Sequence, residues 1–402
     1  MISFEQALQI AKEKLAAANL SPAIEWVPLG GACGRVLAHD VAADRDYPPF
    51  HRSIRDGFAV RSSDVASPPI VLRQRGEVRA GGHFAGAVAA GEAVSIMTGA
   101  PLPNGADAVV MVEFTESHGD EVRIEKGVRS GENVVQQGSE AAKGVRVLPR
   151  HRRLGPGELG LLATMGKSTV PVFAKPRVAI LPTGDEVVPV DQTPEWFQIR
   201  NSNAITLSAL VDQAGGIPHR LGIAPDSLEP LRAMILEGLD ADLLLLSGGI
   251  SVGKYDFVER ALADLGAEFY FQGVALRPGK PLVFGGVKGK FLFGLPGNPV
   301  STFVTFELFA RPVIAALGGE TLEPAVFLRA RLAEAYQQKT GLTTFMPARI
   351  ECPAGDPVVS LVGWQGSGDL VGVAAANAFL VVHPHQTSLA AGDWVDVMPK
   401  GQ

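Results

Sequence analysis

The sequence predicts a multidomain α/β protein whose central domain is an open, mostly parallel sheet flanked by helices. From residue 177 onward, short apolar runs alternate with helix-length segments, as in right-handed strand–helix–strand units. Four consecutive leucines at 243–246 indicate a strand that is buried on both faces. Between residues 24 and 148, and again beyond 321, short β-like runs broken by glycine and proline replace this alternation. We therefore expect an inserted β-rich module, a mixed helical N-terminal domain and a small C-terminal β-barrel.

The first helix is predicted by its capping residues. Ser3 and Gln6 match a capping box, and apolar residues follow at helical spacing as far as Leu15, so the helix should end near Asn19. In the β-rich module we expect strands at 70–72, 93–97, 108–112 and 122–124, followed by a short helix at 155–165.

The central and C-terminal elements follow from the same spacing rules. We expect strands at 178–181, 218–223, 243–246, 282–284 and 291–293, and helices at 204–214, 228–238, 257–265 and after Pro299. The tail should contribute strands at 327–332, 358–361, 379–382 and 394–397. The predicted domains are 1–46 with 142–174, 47–141, 175–320 and 321–402.

Composition narrows the class of protein. A chain of 402 residues, 46% of them hydrophobic, should form about two to four well-packed domains. The net charge of −6 argues against a protein that coats nucleic acid. Cys33 and Cys352 have no paired spacing and are expected as free thiols. The N-terminus lacks the pattern of a signal peptide, and the apolar helix at 300–317 carries Glu307 and Arg311, so we expect a cytoplasmic protein without a membrane span.

Three loops point to an anion-binding site. Ser247, Gly248 and Gly249 directly follow the leucine strand, where backbone N–H groups can surround an anion. The segment at 277–284 (RPGKPLVF) supplies cations, and the segment at 293–306 (FGLPGNPVSTFVTF) is a glycine turn that opens a helix. Parallel sheets bind ligands beyond the carboxyl ends of their strands, so these loops predict a phosphate-binding site there.

Carboxylates are expected at the same edge. Glu186 ends the LPTGDE turn, Asp226 follows the second strand, and Asp256 precedes a helix. Two such charges about 4 Å apart repel by roughly 4 kcal/mol at an effective dielectric near 20, so a magnesium ion with oxygen ligands is expected to bridge them. Alternatively, Asp256 only caps its helix, and the residues before Glu186 only form a turn.

A nucleotide P-loop is a further possibility. The segment GGISVGK at 248–254 nearly satisfies the glycine and lysine spacing. Tyr255 follows the lysine, however, where a serine or threonine should hold magnesium. The pattern therefore favours a glycine-lined anion site over a generic nucleotide hydrolase.

Together the motifs resemble the molybdopterin molybdenumtransferase family, which includes MoeA and the gephyrin E domain. The resemblance rests on DGFAV at 56–60, MTGAPLPNGADAVVMVE at 97–113, LPTGDE, SNAITLSALV at 202–211, LSGGISVGKYDFV at 246–258, RPGKPLVFG and FGLPGNPVSTFVTFELF. It implies a MogA-like central domain in a four-domain, dimeric protein. It also implies a magnesium-dependent reaction in which adenylylated molybdopterin is cleaved, AMP leaves and molybdate is transferred to the dithiolene sulfurs.

The resemblance also implies roles for individual residues. The implied catalytic set is Asp56, Thr98, Asp226, Asp256 and Lys280. Of these, Asp56 and Thr98 would come from the partner subunit. The implied metal ligands are Glu186 and Asp256. The implied substrate-binding set is Ser247, Gly248, Gly249, Ser251, Arg277, Pro281, Pro296, Asn298 and Ser301.

The sequence departs from the family pattern at several places. Arg55 stands where methionine usually precedes the DG pair, and GLTTF at 341–345 lacks the usual arginine and glutamate. Val371 and Gly372 replace serines. The alternative function is therefore a catalytically reduced paralogue that serves as a binding or scaffold module. Expected partners are a second copy of the chain, the pterin, molybdate and the upstream molybdopterin adenylyltransferase, with no nucleic acid or membrane.

Overall fold

The computed structural model describes residues 1–18, 20–249, 257–338, 341–352 and 354–401. These residues form two compact units. The first unit comprises Met1–Ala38, His151–Leu159 and Thr169–Gln402, and the second comprises His39–Arg150 and Gly160–Ser168. The division into four domains stays a prediction.

A six-stranded sheet forms the centre of the first unit. In spatial order its strands are Ile217–Arg220, Arg177–Pro182, Leu243–Ser247, Lys290–Leu295, Val283–Val287 and Glu268–Gln272. The first four strands are parallel, and the last two are antiparallel to their neighbours. The sheet is therefore mostly parallel, as predicted, but the strand Glu268–Gln272 was not expected.

The order of the strands creates a switch point. The chain passes from Arg177–Pro182 to Ile217–Arg220 on one side, and then returns to Leu243–Ser247 on the other side. Helices connect these parallel strands, so the connecting loops diverge beyond Pro182 and Ser247, which are paired in register. Open α/β sheets bind ligands in the crevice at such a point.

Helices cover both faces of this sheet because its central strands alternate between two cores. Leu243 and Leu245 pack in one hydrophobic cluster, and Leu244 and Leu246 pack in another. All four are fully buried, which explains the run of leucines. The helices that the structure describes in this unit and at its boundary are Phe4–Ala17, Pro156–Thr164, Ser202–Gln213, Leu228–Gly238, Phe257–Asp264, Pro299–Thr305, Arg311–Leu317 and Leu370–Ala375.

The segment Pro299–Leu317 is a core helix with a π-helical turn at Phe306–Ala310. It is long and apolar enough to cross a membrane, with a mean hydropathy of 1.5, but 83% of its most apolar window is buried inside the protein. Glu307 and Arg311 form an ion pair on it, and the Glu307 side chain is only 6% exposed. The π turn ends two residues before Pro312, whose ring would clash with the carbonyl four residues earlier in a regular helix.

The tail of the chain forms a closed five-stranded barrel. Thr343–Glu351 pairs with Val358–Leu361 and Ala378–Val382, and Trp394–Pro399 pairs with Ala378–Val382 and Leu328–Leu332. Parallel pairing of Leu328–Leu332 with Val358–Leu361 closes the barrel. The barrel is confirmed, whereas the strand Thr343–Glu351 was not expected from the sequence.

The second unit is built on a six-stranded sheet. In spatial order its strands are Ala108–Met111, Gly57–Val60, Glu92–Ile96, Ile70–Val78, Glu121–Ile124 and Thr115–His118. Only the pairing of Ile70–Val78 with Glu92–Ile96 is parallel. Short pairs join Arg52–Ser53 to Val134–Val135 and Val41–Ala42 to Arg146–Leu148. The prediction of a β-rich module is confirmed.

Two further features of the first unit agree with the sequence, whereas its short strand pairs were not expected. The capping box of Ser3 and Gln6 is present at the start of the first helix. Cys33 and Cys352 are free and exposed. The remaining short strand pairs are Ile24–Pro28 with Thr169–Phe173, Val187–Val188 with Ile199–Arg200, Leu276–Arg277 with Thr343–Glu351, and Tyr336–Gln337 with Ser388–Leu389.

Candidate functional site

A cavity of about 670 Å³ opens at the switch point of the central sheet. Three strand ends contribute to it, through Thr183, Ser247 and Pro296. The start of the helix Ser202–Gln213 and the segment around Asn298 complete much of its wall. The cavity therefore lies where the strand order predicted a ligand site.

Eight of the residues expected from the sequence line this cavity. They lie on loops that start at the strand ends or on the helix that follows them. These residues are Glu186, Ser247, Gly248, Gly249, Pro281, Pro296, Asn298 and Ser301.

The leucine strand leads directly into a tight glycine turn. Gly248 and Gly249 have φ angles of +96° and +65°, a region that suits glycine. A Cβ on Gly248 would lie 2.7 Å from the Thr183 carbonyl oxygen. The Gly248 N–H donates to the Leu295 carbonyl at 3.2 Å, so a protein acceptor occupies this amide. The two glycines allow three strand ends to approach closely.

Asn203 connects the walls of the cavity. Its side-chain Nδ2 donates to Ser247 Oγ at 2.9 Å and to the Gly297 carbonyl at 2.8 Å. It also lies 3.3 Å from Thr302 Oγ1. Ser247 is 3% exposed, so this amide fixes a buried hydroxyl at the end of the strand. The sequence reasoning missed Asn203, although a polar residue within the first turn of an apolar-patterned helix could have suggested it.

Asn298 and Ser301 line the cavity at the start of the core helix. The Asn298 Nδ2 donates to Ser367 Oγ at 2.9 Å, and the Val300 N–H donates to the Ser367 carbonyl at 2.9 Å. These bonds tie the turn before the core helix to the segment that ends in Gly368, which also lines the cavity. The C-terminal part of the chain thus contributes to the site.

Comparisons with known proteins find relatives over nearly the whole chain. Residues 2–166 match the model of the MoeA N-terminal region (domain I and II), residues 179–316 match a probable molybdopterin binding domain, and residues 329–400 match the MoeA C-terminal region (domain IV). The chain is 35% identical over 383 residues to the molybdopterin molybdenumtransferase of Bacillus subtilis, covering 93% of this chain and 89% of that protein. It is 36% identical over 385 residues to the protein of that name from Nostoc, covering 93% and 88%.

The chain belongs to the molybdopterin molybdenumtransferase family. The crystal structure of a molybdopterin biosynthesis MoeA protein from Pyrococcus horikoshii is similar, with 33% identity, a TM-score of 0.76 and 98% of each chain covered. A second structure of a MoeA protein from Pyrococcus horikoshii OT3 has 28% identity and a TM-score of 0.81, covering 99% of this chain and 100% of that one. The resemblance and the multidomain fold class stated from the sequence are confirmed.

Three other residues expected from the sequence lie outside the cavity lining. Asp226 is exposed, and its N–H donates to the Asp185 carboxylate at 3.0 Å beyond the first strand. Arg277 and Lys280 are exposed; Arg277 ends the short strand Leu276–Arg277, and Lys280 lies on the loop between it and the strand Val283–Val287. The structure pairs Arg277 with Thr344 in register, which brings the cationic loop beside the GLTTF segment where the family pattern changes.

Asp56 and Thr98 come together in the second unit. The Thr98 N–H donates to the Asp56 carboxylate at 2.7 Å, although the residues lie on different loops. The hydrogen bond from the Thr98 N–H, and secondly the one from the Thr98 hydroxyl, hold the pKa of Asp56 below its ordinary value. Both side chains are exposed. Asp56 is thus a fixed, charged carboxylate directly before the strand Gly57–Val60.

Ser251 and Asp256 lie outside the described residues. Among the residues that the structure describes, no group of three or more histidine, cysteine, aspartate or glutamate side chains could hold a metal ion. Thr183, Asn203, Ser202 and Gly368 line the cavity but were not predicted as site residues. They were missed because their place in the cavity depends on segments that are distant in the sequence.

Proposed function

We propose that this chain transfers molybdenum to molybdopterin, using adenylylated molybdopterin and molybdate and releasing AMP. The observation that supports this most strongly is similarity over 93% of the chain to relatives named molybdopterin molybdenumtransferase. The cavity at the switch point supplies a site of suitable size and polarity in the region that matches a molybdopterin binding domain.

In this proposal the cavity orients the substrate for cleavage of its phosphoanhydride. Ser247 and Ser301 are 3% and 4% exposed, so both residues have little contact with bulk water. Arg277 and Lys280 offset the negative charge of phosphate and molybdate, and Asp56, Thr98 and Asp226 complete the catalytic set. Such cleavage depends mainly on positioning and on charges placed before the reaction begins.

We propose magnesium as the metal, held by Glu186 and Asp256. The fit rests on the donors that line the cavity, which are the Glu186 carboxylate and neutral serine, threonine and asparagine oxygens. Hard divalent cations prefer oxygen ligands, and magnesium usually completes its coordination with water and substrate phosphate. When bound, it would neutralise negative charge at the phosphate.

We also propose a cytoplasmic homodimer that accepts the pterin from the upstream molybdopterin adenylyltransferase. In the dimer, Asp56 and Thr98 of one subunit would act with the cavity of the other. The net charge of −6 fits small anionic substrates that are held by a few local cations, without a broadly basic surface.

The direct test is release of AMP from adenylylated molybdopterin, measured with and without molybdate and magnesium. We expect AMP only with magnesium, and faster release with molybdate. Glu186→Gln should slow release about 100-fold or more, as for loss of a charged group that acts in the transition state. Glu195→Gln, on an exposed loop residue, is the matched control and should leave the rate unchanged.

Two outcomes would contradict the proposal. Folded protein that binds the pterin without releasing AMP would favour the binding or scaffold function. Hydrolysis of ATP without any pterin would favour a nucleotide hydrolase.

A further inference from the structure

Two polar atoms in the cavity have no hydrogen-bond partner among the described residues. They are Thr183 Oγ1 and Asn203 Oδ1, and both atoms are buried. Thr183 is only 3% exposed, so its hydroxyl has little access to bulk water. Buried polar groups are nearly always paired in folded proteins, and leaving one unpaired lowers stability. The protein therefore keeps two unused hydrogen-bonding positions in one cavity.

The orientation of the Asn203 amide is fixed by its surroundings. The Gly297 carbonyl can only accept a hydrogen bond, so the atom 2.8 Å from it must be the nitrogen. The bond to Ser247 Oγ anchors the same nitrogen to a second segment. The oxygen is thus left as a pure acceptor. It can take an N–H or O–H of a ligand but would repel an ionised phosphate oxygen.

The Thr183 hydroxyl faces the glycine turn. The backbone N–H of Thr183 donates to the Ser247 carbonyl at 3.0 Å, and this bond fixes Thr183 beside the strand end. A Cβ on Gly249 would lie 2.6 Å from Thr183 Oγ1, and a Cβ on Gly248 would lie 3.3 Å from it. The hydroxyl therefore occupies the space that a side chain at residue 249 would need. Unlike the Asn203 oxygen, it can donate to an oxyanion.

Building on the function proposed above, we propose that Thr183 and Asn203 are substrate-binding residues whose open atoms are completed by the ligand. Asn203 Oδ1 accepts an N–H from the ring or the amino group of a heterocycle, and Thr183 Oγ1 donates to a phosphate oxygen. The ligand chemistry is a nitrogen heterocycle that carries a phosphate. A pterin phosphate and an adenine nucleotide both have it, and binding measurements separate the two.

The decisive variant is Thr183→Val, which removes the hydroxyl and keeps the shape. Because no hydrogen bond among the described residues is lost and a buried unpaired hydroxyl is removed, we expect its melting temperature to equal or exceed that of the wild type. Its affinity for adenylylated molybdopterin should fall about tenfold, the loss expected for one hydrogen bond. Thr183→Ser keeps the hydroxyl and should bind more tightly than Thr183→Val.

The matched control for stability is Thr305→Val. Thr305 is fully buried, but its hydroxyl donates to the Ser301 carbonyl at 2.7 Å. Its loss should lower the melting temperature, in contrast to Thr183→Val. If Thr183→Val binds the substrate as the wild type does, the hydroxyl is not a binding group and the inference is wrong.

Asn203 needs a different comparison because its nitrogen also supports the cavity wall. Asn203→Asp and Asn203→Leu both lose the donor to Gly297, but only aspartate keeps an acceptor oxygen. We expect Asn203→Asp to bind the pterin phosphate more tightly than Asn203→Leu, despite its added negative charge. Equal affinities would restrict Asn203 to a structural role and overturn its part of the inference.

Two probes identify the half of the ligand that is held. Affinities of the wild type and Thr183→Val are measured for AMP and for a 6-substituted pterin phosphate. A loss confined to the pterin assigns the site to the pterin, and a loss confined to AMP assigns it to the nucleotide. If the wild type binds neither probe nor the full substrate, the proposed function is overturned as well. If the wild type binds the substrate and releases AMP, and Thr183→Val does so equally well, only this inference is overturned.

Discussion

The cavity of the first unit and the Asp56–Thr98 contact of the second unit use their polar groups in opposite ways. In the cavity, Thr183 Oγ1 and Asn203 Oδ1 are buried and have no partner among the described residues. In the second unit, the Asp56 carboxylate is exposed and already bonded to the Thr98 N–H. The cavity thus has polar atoms that lack a hydrogen bond among the described residues, whereas the Asp56 carboxylate already has its hydrogen bonds without a ligand.

This difference separates two kinds of functional group. A buried unpaired group lowers the stability of the free protein, and a ligand that pairs with it restores the lost interaction. A carboxylate held by backbone N–H groups remains charged whether or not a ligand is bound. Substitutions in the two regions should therefore affect stability and binding in different proportions.

The largest effect is expected at Gly57, next to Asp56. A Cβ there would lie 1.9 Å from the Val110 carbonyl oxygen, in the neighbouring strand. That atom belongs to backbone paired within the sheet and cannot move without loss of the pairing. Gly57→Ala should therefore destabilise the protein by about 3 kcal/mol or more, measured by denaturant unfolding.

Gly160 provides the control for this substitution. It lies in the helix Pro156–Thr164, and a Cβ there would meet nothing within 4 Å. Gly160→Ala should raise stability by roughly 0.5–1 kcal/mol because alanine loses less backbone entropy in a helix. A Gly57→Ala protein as stable as the wild type would contradict the close approach of the two strands.

A smaller effect is expected at Gly249 in the cavity. There a Cβ would meet Thr183 Oγ1 at 2.6 Å and the Val258 side chain at 2.7 Å, which are side-chain and not backbone atoms. Because of these contacts and the φ of +65° at residue 249, Gly249→Ala should lower the free energy of unfolding by about 1–2 kcal/mol. Affinity for adenylylated molybdopterin should fall more than this because the Thr183 hydroxyl is displaced. A variant that loses stability but binds normally would show that the hydroxyl plays no part in binding.

The sequence was sufficient to predict the position of the cavity where local pattern and topology agree. The leucine run at 243–246 and the strand–helix alternation predicted the parallel strands, and their carboxyl ends predicted the cavity. The antiparallel edge was harder to predict because alternation alone does not give direction. A signal was present, since Lys288 and Gly289 join two strands through a two-residue turn in which both φ angles are positive.

Other features could not be predicted because they depend on distant segments. Pro347 interrupts the pattern of the strand Thr343–Glu351, yet the barrel accommodates it with its carbonyl accepting from the Val362 N–H. The local sequence around Thr183 is typical of a turn, and that around Asn203 is typical of the start of a helix. Their unpaired atoms become visible only when three strand ends and a helix come together.

The smallest effect in this comparison is a pH dependence, and it concerns carboxylates that are already paired. Asp369, beside the cavity-lining residues Gly368 and Leu370, caps a short helix. The Gly372 N–H and then the Gln365 N–H hold its pKa below the ordinary value. Asp56 in the second unit has a lowered pKa for the same kind of reason.

A lowered pKa in the folded state means that the unfolded state binds the proton more tightly. The stabilising contribution is therefore complete above the ordinary aspartate pKa of about 3.9 and is lost as the pH falls through the lowered value. Asp369→Asn keeps a good helix cap, so stability at neutral pH should change little while the loss below about pH 4 becomes less steep. Thermal unfolding from pH 7 to pH 3 would measure this, with Thr183→Val as the contrast, since its stability difference from the wild type should not vary with pH. If Asp369→Asn and the wild type lose stability in parallel as the pH falls, the Asp369 carboxylate is not held by these N–H groups. The proposed difference between paired and unpaired polar groups would then be wrong for the paired carboxylates.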